Sequence, residues 1–206
     1  MNFDGKKALV ERVQAALGLA VDGDDGPKTW AGIVGRLAPA QEEPVNALGA
    51  YSRALVDVAL SQVGVREQTA NRAPEISKYW QATWYPEGAQ NREPWCAAFV
   101  CWCVAEAAKK VPVNFRLPQD PRAFGLDEDW AKHSGLAKSG SPSARDIKTG
   151  DIVVFQFSHV GICVGSNGDS IFTVEGNTNG DGSREGDGVY RKTRSASLIR
   201  SAIHLT

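Results

Sequence analysis

Apolar residues recur at helical spacing through roughly the first 110 positions and in short continuous or alternating runs after Gly150, so the chain divides by period. Ala8, Leu9, Val13, Ala16 and Leu17 predict one apolar helical face that Gly18 ends. A dense turn follows at Asp22-Gly23-Asp24-Asp25-Gly26-Pro27, then a second short helix from Thr29 through Trp30 and Ile33 to Leu37. Helical spacing resumes at Leu55, Val58, Ala59 and Gln62 and stops near Gly64, and Pro74 opens a short helix carrying Ile76, Tyr79 and Trp80. The apolar run Pro94-Trp95-Cys96-Ala97-Ala98-Phe99-Val100-Cys101-Trp102-Cys103 begins another helix, on which Phe99, Trp102, Cys103 and Glu106 recur. Residues 111–150 are broken by proline and glycine, with one helix over 123–130. Beyond them, runs at 152–157, 159–164, 170–175, 189–193 and 198–205 are rich in branched and aromatic residues and predict an antiparallel sheet. Helices first and strands last predict an α+β domain with its helices on one face.

Composition narrows the picture. At 206 residues, 42% hydrophobic and 23% charged, the chain suits one good-sized core plus a small accessory unit. The expected division is a helical unit at 1–40, a linker at 41–50 and the main domain at 51–206. No apolar run approaches the ~20 residues of a membrane span, so no membrane insertion is expected. The opening Met-Asn-Phe-Asp-Gly-Lys-Lys lacks the apolar core of a secretory signal, which predicts synthesis in the cytoplasm without one. A net charge of -1 offers no basic field for nucleic acid, and a monomer is expected. Cys96, Cys101 and Cys103 crowd one helix, where they are badly placed to bridge, so the four cysteines read as reduced.

The chemistry centres on Cys96. In the first turn of a helix, unpaired N–H groups and the positive dipole end stabilise a thiolate, the nucleophilic form of cysteine. A strand later in the chain supplies the base. His159, Gly161 and Cys163 share one face, and the glycine leaves room for a neighbour. In the next strand Glu175 and Asn177 point the same way, and either could accept the imidazole N–H and fix its tautomer. A zinc reading of Cys96, Cys103, Cys163 and His159 matches no usual ligand spacing. The Asp-rich turn lacks the closing glutamate of a calcium loop, and the loop at 179–188 reads as a connection. No metal or cofactor is expected, and His133 and His204 read as structural.

Pro94-Trp95-Cys96-Ala97-Ala98-Phe99-Val100, Gly150-Asp151-Ile152-Val153-Val154-Phe155, Ser158-His159-Val160-Gly161 and Glu175-Gly176-Asn177 resemble the CHAP domains. These are papain-like, NlpC-related amidohydrolases and peptidases of bacterial and phage cell-wall lysis. The resemblance runs from about Tyr51 to the C-terminus and implies a papain-like domain. In it Cys96 is the nucleophile, His159 the base and then the acid, Glu175 the orienting group and Asn177 a supporting one. It also implies Gln90 as an oxyanion donor with the Cys96 N–H, and Trp95 as a substrate contact. Many CHAP domains carry an acidic calcium loop before the cysteine, but Glu87, Asn91 and Glu93 are too sparse for one. Residues 13–30, with Asp22, Gly23, Thr29 and Trp30, resemble a shortened peptidoglycan-binding repeat. The implied function is hydrolysis of an amide in bacterial peptidoglycan through an acyl-enzyme, as an endopeptidase in preference to an N-acetylmuramoyl-L-alanine amidase. The competing reading is a wall-binding or structural module with an inactive site. A wall substrate without a signal peptide implies a phage endolysin or a delivered effector, acting at the wall or periplasm.

Overall fold

A computed structural model describes residues 3–16, 21, 49–168, 170–181, 183 and 185–205. The chain separates into two compact units, Met1–Gln41 and Glu42–Thr206. In the first, helix α1 (Phe3–Ala16) leaves Leu9 52% exposed and buries Gln14. Its less exposed positions are Val10, Glu11, Val13 and Gln14, of which Val10, Val13 and Gln14 fall at helical spacing i, i+3 and i+4, a stripe rotated from the one predicted through Leu9. Asp22, Gly23, Thr29 and Trp30, with the predicted second helix, lie outside the described residues.

The second unit is α+β, as expected of a papain-like domain. Helices α2 (Ala50–Ser61), α3 (Pro74–Trp80), the single turn α4 (Gly88–Asn91) and α5 (Cys96–Lys110) precede α6 (residues 123–133), whose middle turn, Leu126–Trp130, is a π-helix. The strands are β1 (Ala137–Gly140), β2 (Ile152–Phe155), β3 (His159–Asn167), β4 (Ser170–Thr178), β5 (Gly188–Ser195) and β6 (Ile199–His204). They form one sheet in the order β1-β6-β2-β3-β4-β5, with every neighbouring pair antiparallel. Thus β2 to β5 make a meander, and the chain then returns across it to lay β6 beside β2. The short strand β1 was not foreseen, because Ala-Lys-Ser-Gly has neither alternation nor branched residues. It exists through its pairing with β6.

Each face of the sheet is covered. Val160, Ile162, Val174 and Ile203 pack with Leu55, Ile76, Phe99 and Val104 of α2, α3 and α5. Val153, Phe155, Cys163, Ile171 and Ala202 form a second cluster with Ala144 and Ile147 of the loop before β2. Strand β3 therefore alternates between two buried faces, and its even-numbered residues seat α5. Gly150 and Asp151 shape that loop's end. Gly150 has φ +95°, and the Asp151 carboxylate accepts from Lys148 N–H at 2.7 Å and interacts with His204 Nδ1 at 2.9 Å.

Candidate active site

Helix α5 begins at Cys96 itself, with Trp95 in the capping position. No side chain of its own caps this end. Instead Asn177 of β4 accepts the Trp95 backbone N–H at 2.9 Å, and its amide N–H groups reach Asn71 Oδ1 at 3.1 Å and Gly186 O at 3.2 Å. Glu67 accepts the Trp95 indole N–H at 2.8 Å and the Asn71 N–H at 2.7 Å. The nucleophile's helix is thus pinned to β4 through the residue just before it. Cys96 keeps 6% of its surface exposed, whereas Cys101, Cys103 and Cys163 are fully buried. Burial pushes these three thiols up, Cys163 to about 12, and leaves them protonated packing groups.

His159 opens β3 and is buried. Its Nε2 meets Glu175 Oε2 at 3.0 Å, which leaves Nδ1 as the nitrogen for Cys96. That Nδ1 is buried without a hydrogen-bond partner among the described residues, and Cys96 acts electrostatically on the same ring. Burial alone would push the imidazole down, but Cys96 and then the Glu175 carboxylate outweigh it and hold the imidazolium up to about 9. Gly161 makes the pairing possible, since a Cβ there would come within 2.6 Å of Glu175 Cγ.

The carboxylate is itself held. Thr173 Oγ1 donates to Glu175 Oε1 at 2.5 Å, and Arg194 of β5 forks onto both oxygens, Nε to Oε1 at 2.9 Å and Nη2 to Oε2 at 2.5 Å. Burial would raise this carboxyl, but the Arg194 and His159 hydrogen bonds dominate and hold it down to about 2. The Arg194 guanidinium also lies 5.3 Å from the Phe155 ring centre and 5.6 Å from that of Phe157. Both rings stack on His159, each with its centre 5.9 Å away. Arg194 and Thr173 escaped the sequence reading. An arginine in a polar-looking run such as Tyr-Arg-Lys-Thr-Arg carries no sign that it turns inward.

The pair sets an expected pH dependence of stability. His159 is raised on folding, so its contribution is complete below its ordinary 6.5 and is lost as pH rises through about 9. Glu175 is depressed, so its contribution is complete above its ordinary 4.5 and is lost as pH falls through about 2. Both are complete only between 4.5 and 6.5. Urea unfolding across pH should show a plateau there, and His159→Gln should remove its alkaline edge. An unchanged alkaline slope in that variant would assign the effect elsewhere.

Cys96 opens onto a cleft of about 320 Å³ whose walls include Trp80, Trp84, Glu93, Arg122 and Ser158. Three expectations change here. Trp95 is buried, stacked on Tyr79 with ring centres 5.5 Å apart, so it is a core residue and not a substrate contact. The tryptophan that meets the cleft in the open is Trp84, 59% exposed. Gln90 lies exposed on α4 and does not line this cleft, so the structure does not bring it to Cys96. Asn177 does not reach His159 either. At φ +57°, beside a register shift between Glu175 and Thr178, it leaves the strand's alternation and turns to Trp95. His133 pairs with Asp129 and His204 with Asp151 and Ser139. Among the described residues no three His, Cys, Asp or Glu side chains gather as metal ligands.

Residues 84–177 match the model of the CHAP domain, a span that holds Cys96, His159, Glu175 and Asn177. A CHAP domain is found over that span of the chain. CHAP domains are cysteine peptidase or amidase domains acting on peptidoglycan. The match begins at Trp84, at the edge of the cleft, and ends on the residue that fixes Trp95. Among solved structures, the crystal structure of Ly7917 is similar over 75% of this chain, at 15% sequence identity and a TM-score of 0.46. The similar region spans 62% of that chain's length. No curated protein matches the sequence. Among the described residues, no helix is long and apolar enough to cross a membrane.

Proposed function

We propose that this CHAP domain cleaves an amide within the cell-wall peptide through a Cys96–His159 pair and an acyl-enzyme. The observation that carries this reading is Cys96 at a helix start, open to a cleft and acting on a His159 ring whose Nε2 is held by Glu175 and whose Nδ1 is left for the nucleophile. The thiolate attacks the carbonyl carbon, and first-turn N–H groups, that of Cys96 among them, donate to the oxyanion. His159 Nδ1–H protonates the departing amine as the C–N bond breaks, leaving a thioester. Water then attacks the thioester, His159 takes its proton, and the thiolate departs with the carboxylic acid released. Glu175 stays ionised throughout, and Arg194 keeps it so.

Glu93 and Arg122 place opposite charges on the cleft wall beside Cys96. That suits a scissile amide with charged residues on both sides, as within the stem peptide or a cross-bridge. The sugar–peptide junction presents an uncharged lactyl group on one side, so endopeptidase action is favoured over amidase action. The site is complete in one chain, which supports action as a monomer at the wall. Mass spectrometry of digested purified peptidoglycan is the test. New amino and carboxyl ends inside the peptide are expected, a freed lactyl carboxylate would make the enzyme an amidase, and no new ends would overturn the reading.

The first unit is proposed to raise local concentration at the wall. A chain beginning near Gly49 should cleave soluble stem peptides normally and lyse intact walls several-fold more slowly. Equal pulldown of both forms by peptidoglycan would exclude wall binding by that unit.

A further inference from the structure

Arg122 is an exposed residue with an unusual degree of fixation. Its side chain is 66% exposed, yet its guanidinium is gripped by Asp120, whose side chain is only 6% exposed. Arg122 Nε donates to Asp120 Oδ1 at 2.9 Å, Nη2 to Oδ2 at 2.6 Å, and the Arg122 backbone N–H to Oδ1 at 2.9 Å. The grip is built in from below. A Cβ at Gly125 would overlap the Asp120 carboxylate, and the Asp120 carbonyl accepts from Cys101 Sγ of α5 at 3.5 Å. Next along, Asp127 of the π-turn receives Ser201 Oγ at 2.8 Å and Arg200 Nε at 2.8 Å, which fastens α6 to β6. Arg122 therefore stands on a frame tied to both the nucleophile's helix and the sheet.

A guanidinium has two forked edges. Asp120 occupies the edge made by Nε and Nη2, which leaves Nη1 and the outer hydrogen of Nη2 without a hydrogen-bond partner among the described residues. Arg122 lines the same cleft as Cys96. Holding a flexible, exposed arginine in one orientation costs side-chain entropy, and a solvated surface ion pair returns little for it. The arrangement gains a purpose if the open fork meets a planar anion, because the orientation is then already set.

We propose that the Asp120-held Arg122 is the carboxylate-recognition group of the cleft, taking a free carboxylate of the peptide close to the scissile amide. This rests on the reading of Cys96 as the nucleophile of a peptide-cutting site and adds which substrates it selects. Peptides with that carboxylate free are bound, and peptides with it amidated are bound poorly. Two carboxylates of a stem peptide qualify, the α-carboxylate of the γ-linked D-glutamate and the terminal one of D-alanine.

The test uses binding, so it stands apart from turnover. The full chain with Cys96→Ala is titrated with the synthetic tetrapeptide L-Ala-γ-D-Glu-L-Lys-D-Ala in three forms: both carboxylates free, the D-glutamate amidated, or the terminus amidated. One of the two amidations should weaken binding about tenfold, the scale of one charge-assisted fork at a half-open site, and so name the carboxylate. Arg122→Gln in the same background should erase that difference. Arg122→Lys, with charge but no second fork, should recover less than half of the preference on a logarithmic scale. Binding of all three forms within about twofold, absence of binding, or a preference that survives Arg122→Gln would each overturn the proposal. Turnover by the protein with Cys96 intact separately tests the peptide-cutting reading.

Discussion

Replacing Cys96 by alanine or serine is expected to reduce wall lysis below ~1% of the unsubstituted protein, since loss of the nucleophile in a catalytic unit costs several orders of magnitude. The fold should survive. Cys96 is the first residue of α5, and Asn177 holds that helix start through the Trp95 backbone, which neither substitution touches. Circular dichroism and an unchanged urea midpoint would establish this. Lysis retained above ~1% by either variant would remove Cys96 from the mechanism. A thiol-reactive probe provides a second reading, because Cys101, Cys103 and Cys163 are buried and held protonated. Modification should fall on Cys96 first and should slow when His159 is replaced.

Glu175→Gln is expected to lower turnover by about 100-fold or more and to move the upper limb of the pH–rate profile downward. That limb belongs to the His159 imidazolium, held up to about 9. Removing the carboxylate deletes a negative charge beside Nε2 while the Arg194 cation that it offset stays near the ring, and both changes disfavour the imidazolium. The same change takes the carboxylate away from a buried guanidinium, at a cost of about 3–5 kcal/mol, so folding must be verified in parallel. Should the single variant unfold, Glu175→Gln with Arg194→Met removes the stranded charge and still tests the limb. Asn177→Ala should act differently. It deletes the acceptor of the Trp95 N–H and places alanine at φ +57°, which loosens the seat of Cys96 and lowers turnover less, with the limb unmoved. Greater damage from Asn177→Ala, or a limb that shifts there and not in Glu175→Gln, would make Asn177 the residue that governs the base.

The period of the chain was enough to divide helices from strands, to start a helix at Cys96 and to place His159 and Glu175 on consecutive strands. These are local energies. A thiol at a helix start and alternation along a strand are set by residues a few positions away, and consecutive strands pair because their connection is short. Gly161 was legible too as room for a neighbour, since a missing Cβ is a property of one residue. The tertiary structure decided the rest. Which tryptophan faces substrate depends on burial. Trp95 lies under Tyr79 and Trp84 stands open, although both sit in similar loop sequence before α5. Asn177 left the role of orienting His159 because a register shift and one positive φ turned it to Trp95, a backbone irregularity that an assumption of strict alternation cannot contain. Arg194 and Asp120 carry no local sign of burial, and only packing places one against Glu175 and the other beneath Arg122. A charge turns inward only when a partner from a distant segment offsets its desolvation, and that partner is supplied by the sheet order and the docking of α6, which no local pattern specifies.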